Sequence, residues 1–213
     1  MPTPDDFTPD FLLDGPPDAA RTIVLVHGAG GAMDSPWMDA IAVRLGDAGL
    51  RVVRFEFPYM QQRRLDGKRR PPNSPKKLEA AWHKVIDKIG PEGLLIGGKS
   101  MGGRIASMVA ADAGVAGLVC LGYPFHPPGK PEKHRTAHLA VLHAPALFCQ
   151  GERDTFGARD EVEAYSLSDV IQIEWMPDGD HSLKPRKKSG RSESDNLDLA
   201  RDLILAFASG LDM

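Results

Sequence analysis

The chain is short of the features that would tie it to a membrane, to nucleic acid or to an oxidising compartment. No apolar run approaches the roughly 20 residues that a helix needs to cross a bilayer. The stretch from Met1 to Pro17 is acidic and proline-rich, with no basic start and no long apolar core, which argues against a secretory signal. A formal net charge of -3 over 213 residues gives no global attraction to nucleic acid or to an anionic membrane. There are 2 cysteines, Cys120 and Cys149, each inside an apolar, strand-like run, so buried reduced thiols are expected rather than a disulfide or a metal pair. Internal repeats are also lacking. These absences predict a cytoplasmic protein with no metal, no organic cofactor and no nucleic-acid or membrane partner. The length suits one core, so a single domain over 1-213 is expected, with 1-20 as an N-terminal extension.

What is present is an alternation of short apolar runs with helix-period segments. Thr22 to Val26, Arg51 to Phe57, Leu94 to Gly97, Gly117 to Leu121, Ala146 to Gln150 and Ile171 to Trp175 read as strands. Pro36 to Asp47, Pro75 to Ile89, Met101 to Asp112, Arg159 to Leu167 and Ser194 to Phe207 read as helices. The expected fold class is α/β, a doubly wound, mostly parallel sheet with helices on both faces. Chemistry in such folds gathers at the carboxyl ends of the strands, so the loops starting at His27, Pro58, Lys99, Gly122, Gly151 and Met176 should share one face. Pro58 to Ser74 and Tyr123 to His143 break the rhythm and read as surface loops. The second stands where a helical lid could be inserted, and it leaves little room for one.

Gly98-Lys99-Ser100-Met101-Gly102 fits G-x-S-x-G directly after a strand and before a helix. That context suits a nucleophile elbow, in which a tight turn holds the serine out at a helix N-terminus. The same region, Gly93 to Ser100, is also a literal G-x-x-x-x-G-K-S phosphate loop. Its variable positions, however, include Leu94, Leu95 and Ile96, whose N–H groups a sheet would claim, so a nucleotide-binding function ranks third. Gly28-Ala29-Gly30-Gly31-Ala32-Met33 resembles a dinucleotide fingerprint but has Met33 in place of the third glycine.

A serine hydroxyl needs a base and an orienting acid. His181, in the turn-rich loop after the last strand, is the best-placed of 7 histidines. His83, His126, His134, His138 and His143 read as solvated, and His27 as a residue that shapes the following glycine turn. Asp154, after the strand ending at Gln150, is the chosen acid; Glu152, Asp160, Asp178 and Asp180 are its rivals. For the oxyanion hole the candidates are the backbone N–H groups of Met101 and Ala29, with Gly30 in reserve.

The order Ser100, Asp154, His181 and the stretches LVHGAGG, GGKSMGGR, QGERD and GDHSLKPRKKSGR resemble the α/β-hydrolase superfamily. They are most similar to its dienelactone-hydrolase-like side and, within that, to the testis-expressed protein 30-like branch. The likeness runs from Thr22 to Phe207 and departs from the usual pattern in having at best vestigial antiparallel strands before Arg21 and no evident lid. It implies a serine hydrolase, of carboxylesterase or thioesterase type, that cleaves small acyl substrates through an acyl-enzyme. In this branch the substrate is undefined and some relatives belong to protein assemblies, so a non-catalytic binding or scaffold protein is the alternative. Two basic clusters, one with Arg69 and Arg70 and one with Lys187 and Lys188, begin at carboxyl ends of strands. They form a candidate positive rim for an anionic acyl substrate.

Overall fold

The computed structural model describes residues 7–211. A seven-stranded sheet runs in the order β1-β3-β2-β4-β5-β6-β7. Its strands are β1 (Phe11–Asp14), β2 (Thr22–Val26), β3 (Arg51–Phe55), β4 (Leu95–Lys99), β5 (Gly117–Leu121), β6 (Ala146–Gly151) and β7 (Ile171–Met176). All neighbours pair in parallel except β1, which runs antiparallel to β3. The helices are α1 (Pro36–Asp47), α2 (Pro58–Asp66), α3 (Pro75–Ile89), α4 (Met101–Val109), α5 (Arg159–Val162) and α6 (Glu193–Gly210).

Strand alternation divides the core into two layers. Ile23 and Leu25 of β2 face a cluster with Ile41 and Leu45 of α1 and Ala200 and Ile204 of α6, while Val24 and Val26 face Trp82 and Val85 of α3 and Ile105 of α4. Both faces of the central strands are therefore apolar, which is why TIVLV reads as a continuous run. Cys120 and Cys149 are free and buried.

Several boundaries differ from the sequence reading. The expected loop Pro58 to Ser74 begins with α2: Pro58 sits at the helix start, only Tyr59 and Met60 are buried, and Gly67 ends the helix at φ +70. So small a buried face leaves little apolar periodicity to read. Before Arg21 one antiparallel strand does form, tied by the Asp14–Arg54 ion pair at 2.9 Å. The remainder of the 1-20 extension lies partly outside the described residues. The helix expected over Arg159 to Leu167 stops at Val162, because Ser168 bonds back to Leu139 O and Leu142 O and pulls the chain away. Nor is Tyr123 to His143 simply a surface loop. Tyr123, Phe125, Leu139 and Leu142 are buried, and the ring of Tyr123 stacks on Phe148 at 4.9 Å.

Candidate active site

β4 is the central strand, and at its carboxyl end the chain turns directly into α4. Ser100 occupies that turn with φ 52 and ψ -118, a sparsely populated conformation for a residue with a side chain. Its N–H is anchored to Leu121 O at 3.0 Å. The turn needs a glycine at 102, where a Cβ would lie 2.7 Å from the carbonyl oxygens of both Val26 and His27. Among the described residues the other non-glycine positions with positive φ are Asp178 and Leu183, and these two bracket His181. Backbone strain thus gathers at the site.

Ser100 Oγ lies 2.7 Å from His181 Nε2, and His181 Nδ1 lies 2.7 Å from Asp154 Oδ2. The carboxylate can only accept, so Nδ1 carries the proton and Nε2 is left to accept from the serine hydroxyl. Asp154 is fully buried, and its charge is met by the Phe156 N–H at 2.8 Å and by Gln150 Nε2 at 3.0 Å. Gln150 is itself fixed: Oε1 accepts from Tyr123 N, and Nε2 also donates to Tyr123 O and Gly157 O. Phe156 stacks on the imidazole with ring centroids 4.1 Å apart. The histidine backbone passes so close to β5 that a Cβ on Gly122 would lie 2.6 Å from His181 O.

The rival acids are otherwise engaged. Glu152 accepts from Asp178 N, Asp178 pairs with Arg153 and Arg186, Asp180 accepts from the backbone of Ser182 and Lys184, and Asp160 is exposed in the first turn of α5.

Two residues clamp the histidine loop from the α1 side. Trp37 Nε1 donates to Ser182 O at 2.9 Å, and Lys99 Nζ donates to His181 O and Ser182 Oγ, each at 3.2 Å. The ammonium also sits over the Trp37 ring, 4.2 Å from its centroid. Burial lowers the Lys99 pKa to about 8, against the opposing pull of Asp154, Asp180 and Glu193. Lys99 thus points toward the histidine loop. Within the phosphate-loop match Leu95 to Gly98 pair with β2 and β5 and are committed to the sheet, whereas the Leu94 N–H, expected there too, turns back to Pro91 O at 3.1 Å.

The loop after β2 is held just as firmly. His27 Nε2 accepts from Phe57 N at 3.2 Å, which leaves the ring proton on Nδ1 to donate to Gly28 O at 2.7 Å. Burial lowers the pKa of His27, consistent with a neutral ring. In a trans peptide the N–H opposes the carbonyl, so this bond sets the direction of the Ala29 N–H. In the same way Tyr59 OH, donating to Ala29 O at 2.9 Å, sets that of the Gly30 N–H. Gly28 packs against the serine, where an added Cβ would lie 3.6 Å from Ser100 Cβ. Met101 opens α4, where a helix supplies its first N–H groups with no internal partner.

Ser100, Asp154 and His181, singled out from the sequence, thus meet in one cluster, whereas Gln150, Phe156, Trp37 and Tyr59 were missed. Two histidines expected in solvent are not there: His126 is buried and bonded to Glu161 at 2.8 Å, and His138 is half-buried beside Ser107 at 2.8 Å. In the basic clusters Arg70 is tied to Asp66, Arg64 to Asp34 and Glu56, and Arg186 to Asp178. Arg69, Lys187 and Lys188 are exposed. A cavity of about 820 Å³ lies between α2 and α3, lined by Phe7, Leu65 and Lys76 among others; of the site residues and basic clusters above Tyr59 and Arg70 touch it, and Ser100, Asp154 and His181 do not.

No helix among the described residues is long and apolar enough to cross a membrane. Solved structures with a similar fold include dienelactone hydrolase from Anabaena variabilis, at 20% identity, TM-score 0.70, covering 96% of this chain and 94% of that one. The Xanthomonas campestris protein XC6422, described as an a/b serine hydrolase without lid, matches at 18% identity and TM-score 0.68 over 93% of this chain and 89% of its own. A serine hydrolase homologue from Coxiella burnetii matches at 20% identity and TM-score 0.69 over 93% and 90%. The family model described as an alpha/beta hydrolase domain matches residues 19–209, so this chain belongs to the alpha/beta hydrolase domain family.

Proposed function

We propose that this protein is a serine hydrolase that cleaves small esters or thioesters, with Ser100 as nucleophile, His181 as general base and then acid, and Asp154 as the orienting carboxylate. The observation that carries the reading is the continuous chain of 2.7 Å contacts from Ser100 Oγ through the imidazole to Asp154 Oδ2. Three side chains from three separate strand ends meet in the order that base-assisted attack requires. In this mechanism Ser100 Oγ adds to the acyl carbonyl as His181 Nε2 takes its proton. The negative oxygen is received by the N–H groups of Met101 and Ala29, with Gly30 beside them. The leaving group departs with the proton from His181, and water then splits the acyl-enzyme by the same route. Burial of Asp154 keeps its charge in a low-dielectric setting, where it stabilises the transient imidazolium more than a solvated carboxylate would.

Within the family we assign the chain to the dienelactone-hydrolase-like side and the testis-expressed protein 30-like branch, on the stretches around Ser100, Asp154 and His181. The exposed Arg69, Lys187 and Lys188 contribute a diffuse positive field at most, and Arg70 is compensated by Asp66. The test is covalent. A fluorophosphonate should modify Ser100 alone, and Ser100→Ala should abolish both labelling and hydrolysis of p-nitrophenyl esters. A folded sample that resists labelling, or labels at another serine, would point instead to a binding protein built on this fold.

A further inference from the structure

The cavity between α2 and α3 has no part in the reaction above. Tyr59 and Ala81, both buried, form its floor, and Pro58, Leu65 and Phe7 its apolar walls. Leu65 is 82% exposed, the most of any large apolar side chain among the described residues. On α3, Lys77, Ala80, Ala81 and Lys84 line the cavity at helical spacing, so one face of that helix is turned toward it. The N-terminal segment crosses one end, where Gln61 Nε2 donates to Thr8 O at 3.2 Å and Lys84 Nζ to Phe7 O at 3.4 Å.

The charges around this space are of one sign. Arg70, Lys76, Lys77 and Lys84 line it and no acid among the described residues does, in a chain whose net charge is -3. Arg70 is matched by Asp66, whereas Lys76 and Lys77 enter no ion pair among the described residues. An apolar interior with a cationic rim suits a ligand that carries both an apolar chain and an anionic head. A purely apolar ligand would leave the ammonium groups unanswered, and a small anion would leave the walls wet. The volume of about 820 Å³ lies within the roughly 300–1,000 Å³ of small-molecule sites. From Tyr59 to Leu65 the helix α2 rises about 9 Å, the reach of a chain of roughly eight carbons.

We propose that this cleft is an effector site for a free medium-chain fatty carboxylate, with the chain over Tyr59 and Ala81 and the head at Lys76 and Lys77. Tyr59 connects it to the serine. Its N–H donates to Asn73 Oδ1 at 2.9 Å on the cavity side, and its hydroxyl donates to Ala29 O at 2.9 Å in the turn whose N–H groups face the reaction. A ligand pressed on this ring shifts the hydroxyl and with it the peptide that aims the Gly30 N–H, so occupancy is read out in kcat. The effector role rests on the serine hydrolase proposed above; the binding does not.

Calorimetry with sodium decanoate on the wild-type and Ser100→Ala proteins should show one saturable site, and decyltrimethylammonium, with the same chain and the opposite charge, should not compete for it. Ala80→Trp, at an exposed position of α3, fills the cleft and should abolish binding. Lys76→Gln combined with Lys77→Gln, also at exposed positions, should weaken it roughly 3- to 10-fold and stays informative if the tryptophan variant fails to fold. With p-nitrophenyl acetate, saturating decanoate should change the wild-type kcat at least twofold without moving KM, and should leave Ala80→Trp unaffected. No binding, or equal binding in both cleft variants, overturns the site. A rise in KM that persists in Ala80→Trp would put decanoate at the serine and overturn it as well, and binding with no change in kcat would overturn the effector role. Co-sedimentation with phosphatidylserine vesicles that decanoate fails to displace would assign the cations to a membrane surface instead. If Ser100 resists labelling and no ester is cleaved, the hydrolase reading fails by itself, and the calorimetry alone decides the cleft.

Discussion

Asp154→Asn is the sharpest probe of the site, because every partner of this carboxylate is a donor. Phe156 N–H points at Oδ1, and Gln150 Nε2 and His181 Nδ1 both approach Oδ2. An amide offers one acceptor and one donor group. The backbone N–H at 2.8 Å is the least movable partner, so the amide oxygen should stay there. Its NH₂ then faces both the Gln150 amide and the imidazole. Gln150 cannot turn to help, since its own oxygen is held by Tyr123 N. Two consequences follow from the one substitution. The imidazole accepts from the new NH₂, its proton moves to Nε2, and the serine loses its base, a change of about three to four decades in kcat or about 4–5.5 kcal/mol in the barrier. The opposed buried NH₂ groups also cost stability, about 1–3 kcal/mol. Ester turnover measures the first, and a urea midpoint with unchanged slope the second. A fall in kcat of less than about tenfold, or an unchanged midpoint, would refute the donor-only account of this pocket.

Replacing His27 with leucine should lower kcat about tenfold to a hundredfold with little change in KM, because the peptide that aims the Ala29 N–H loses its tether; an equal effect on KM would show a general disturbance instead. Lys99 makes a pH prediction whose sign is fixed by its lowered folded pKa of about 8. Between that value and the ordinary lysine range the unfolded chain binds more protons, so wild-type stability should rise with pH relative to Lys99→Met, as followed by denaturant midpoints at pH 7, 9 and 10. A parallel pH course in the two proteins would place the ammonium in full contact with solvent.

The parallel sheet and the serine turn were legible because their signals are local: fully apolar pentads for strands buried on both faces, and glycines packed around one serine. Strand order placed His181 and a group of acids at neighbouring strand ends, and only the contacts separate Asp154 from Glu152, Asp160, Asp178 and Asp180. What the sequence hid depends on contacts between distant segments. Gln150 looks like the polar end of a strand, and only the fold shows its amide spanning β5 and β6 to hold Asp154. The two histidines expected in solvent went inward because the proline-rich connection packs through Tyr123 and Phe125, aromatic positions without helical or strand period. α2 escaped for a related reason, since Gln61, Gln62, Arg63 and Arg64 make its pattern polar while its burial rests on two neighbouring residues.

The sheet order has one more consequence. Ser100 extends from β4, which has three strands on either side, whereas His181 extends from β7, which closes the sheet at its border. β7 has a hydrogen-bonded neighbour on one side only, and most of its residues are half-buried at best. Border segments open more readily than central ones, through fluctuations that leave the rest of the domain intact. On the proposed mechanism, opening of β7 would work His181 loose from its Trp37 and Lys99 tethers while the serine stays seated, so turnover should be lost under mild denaturation before the core gives way.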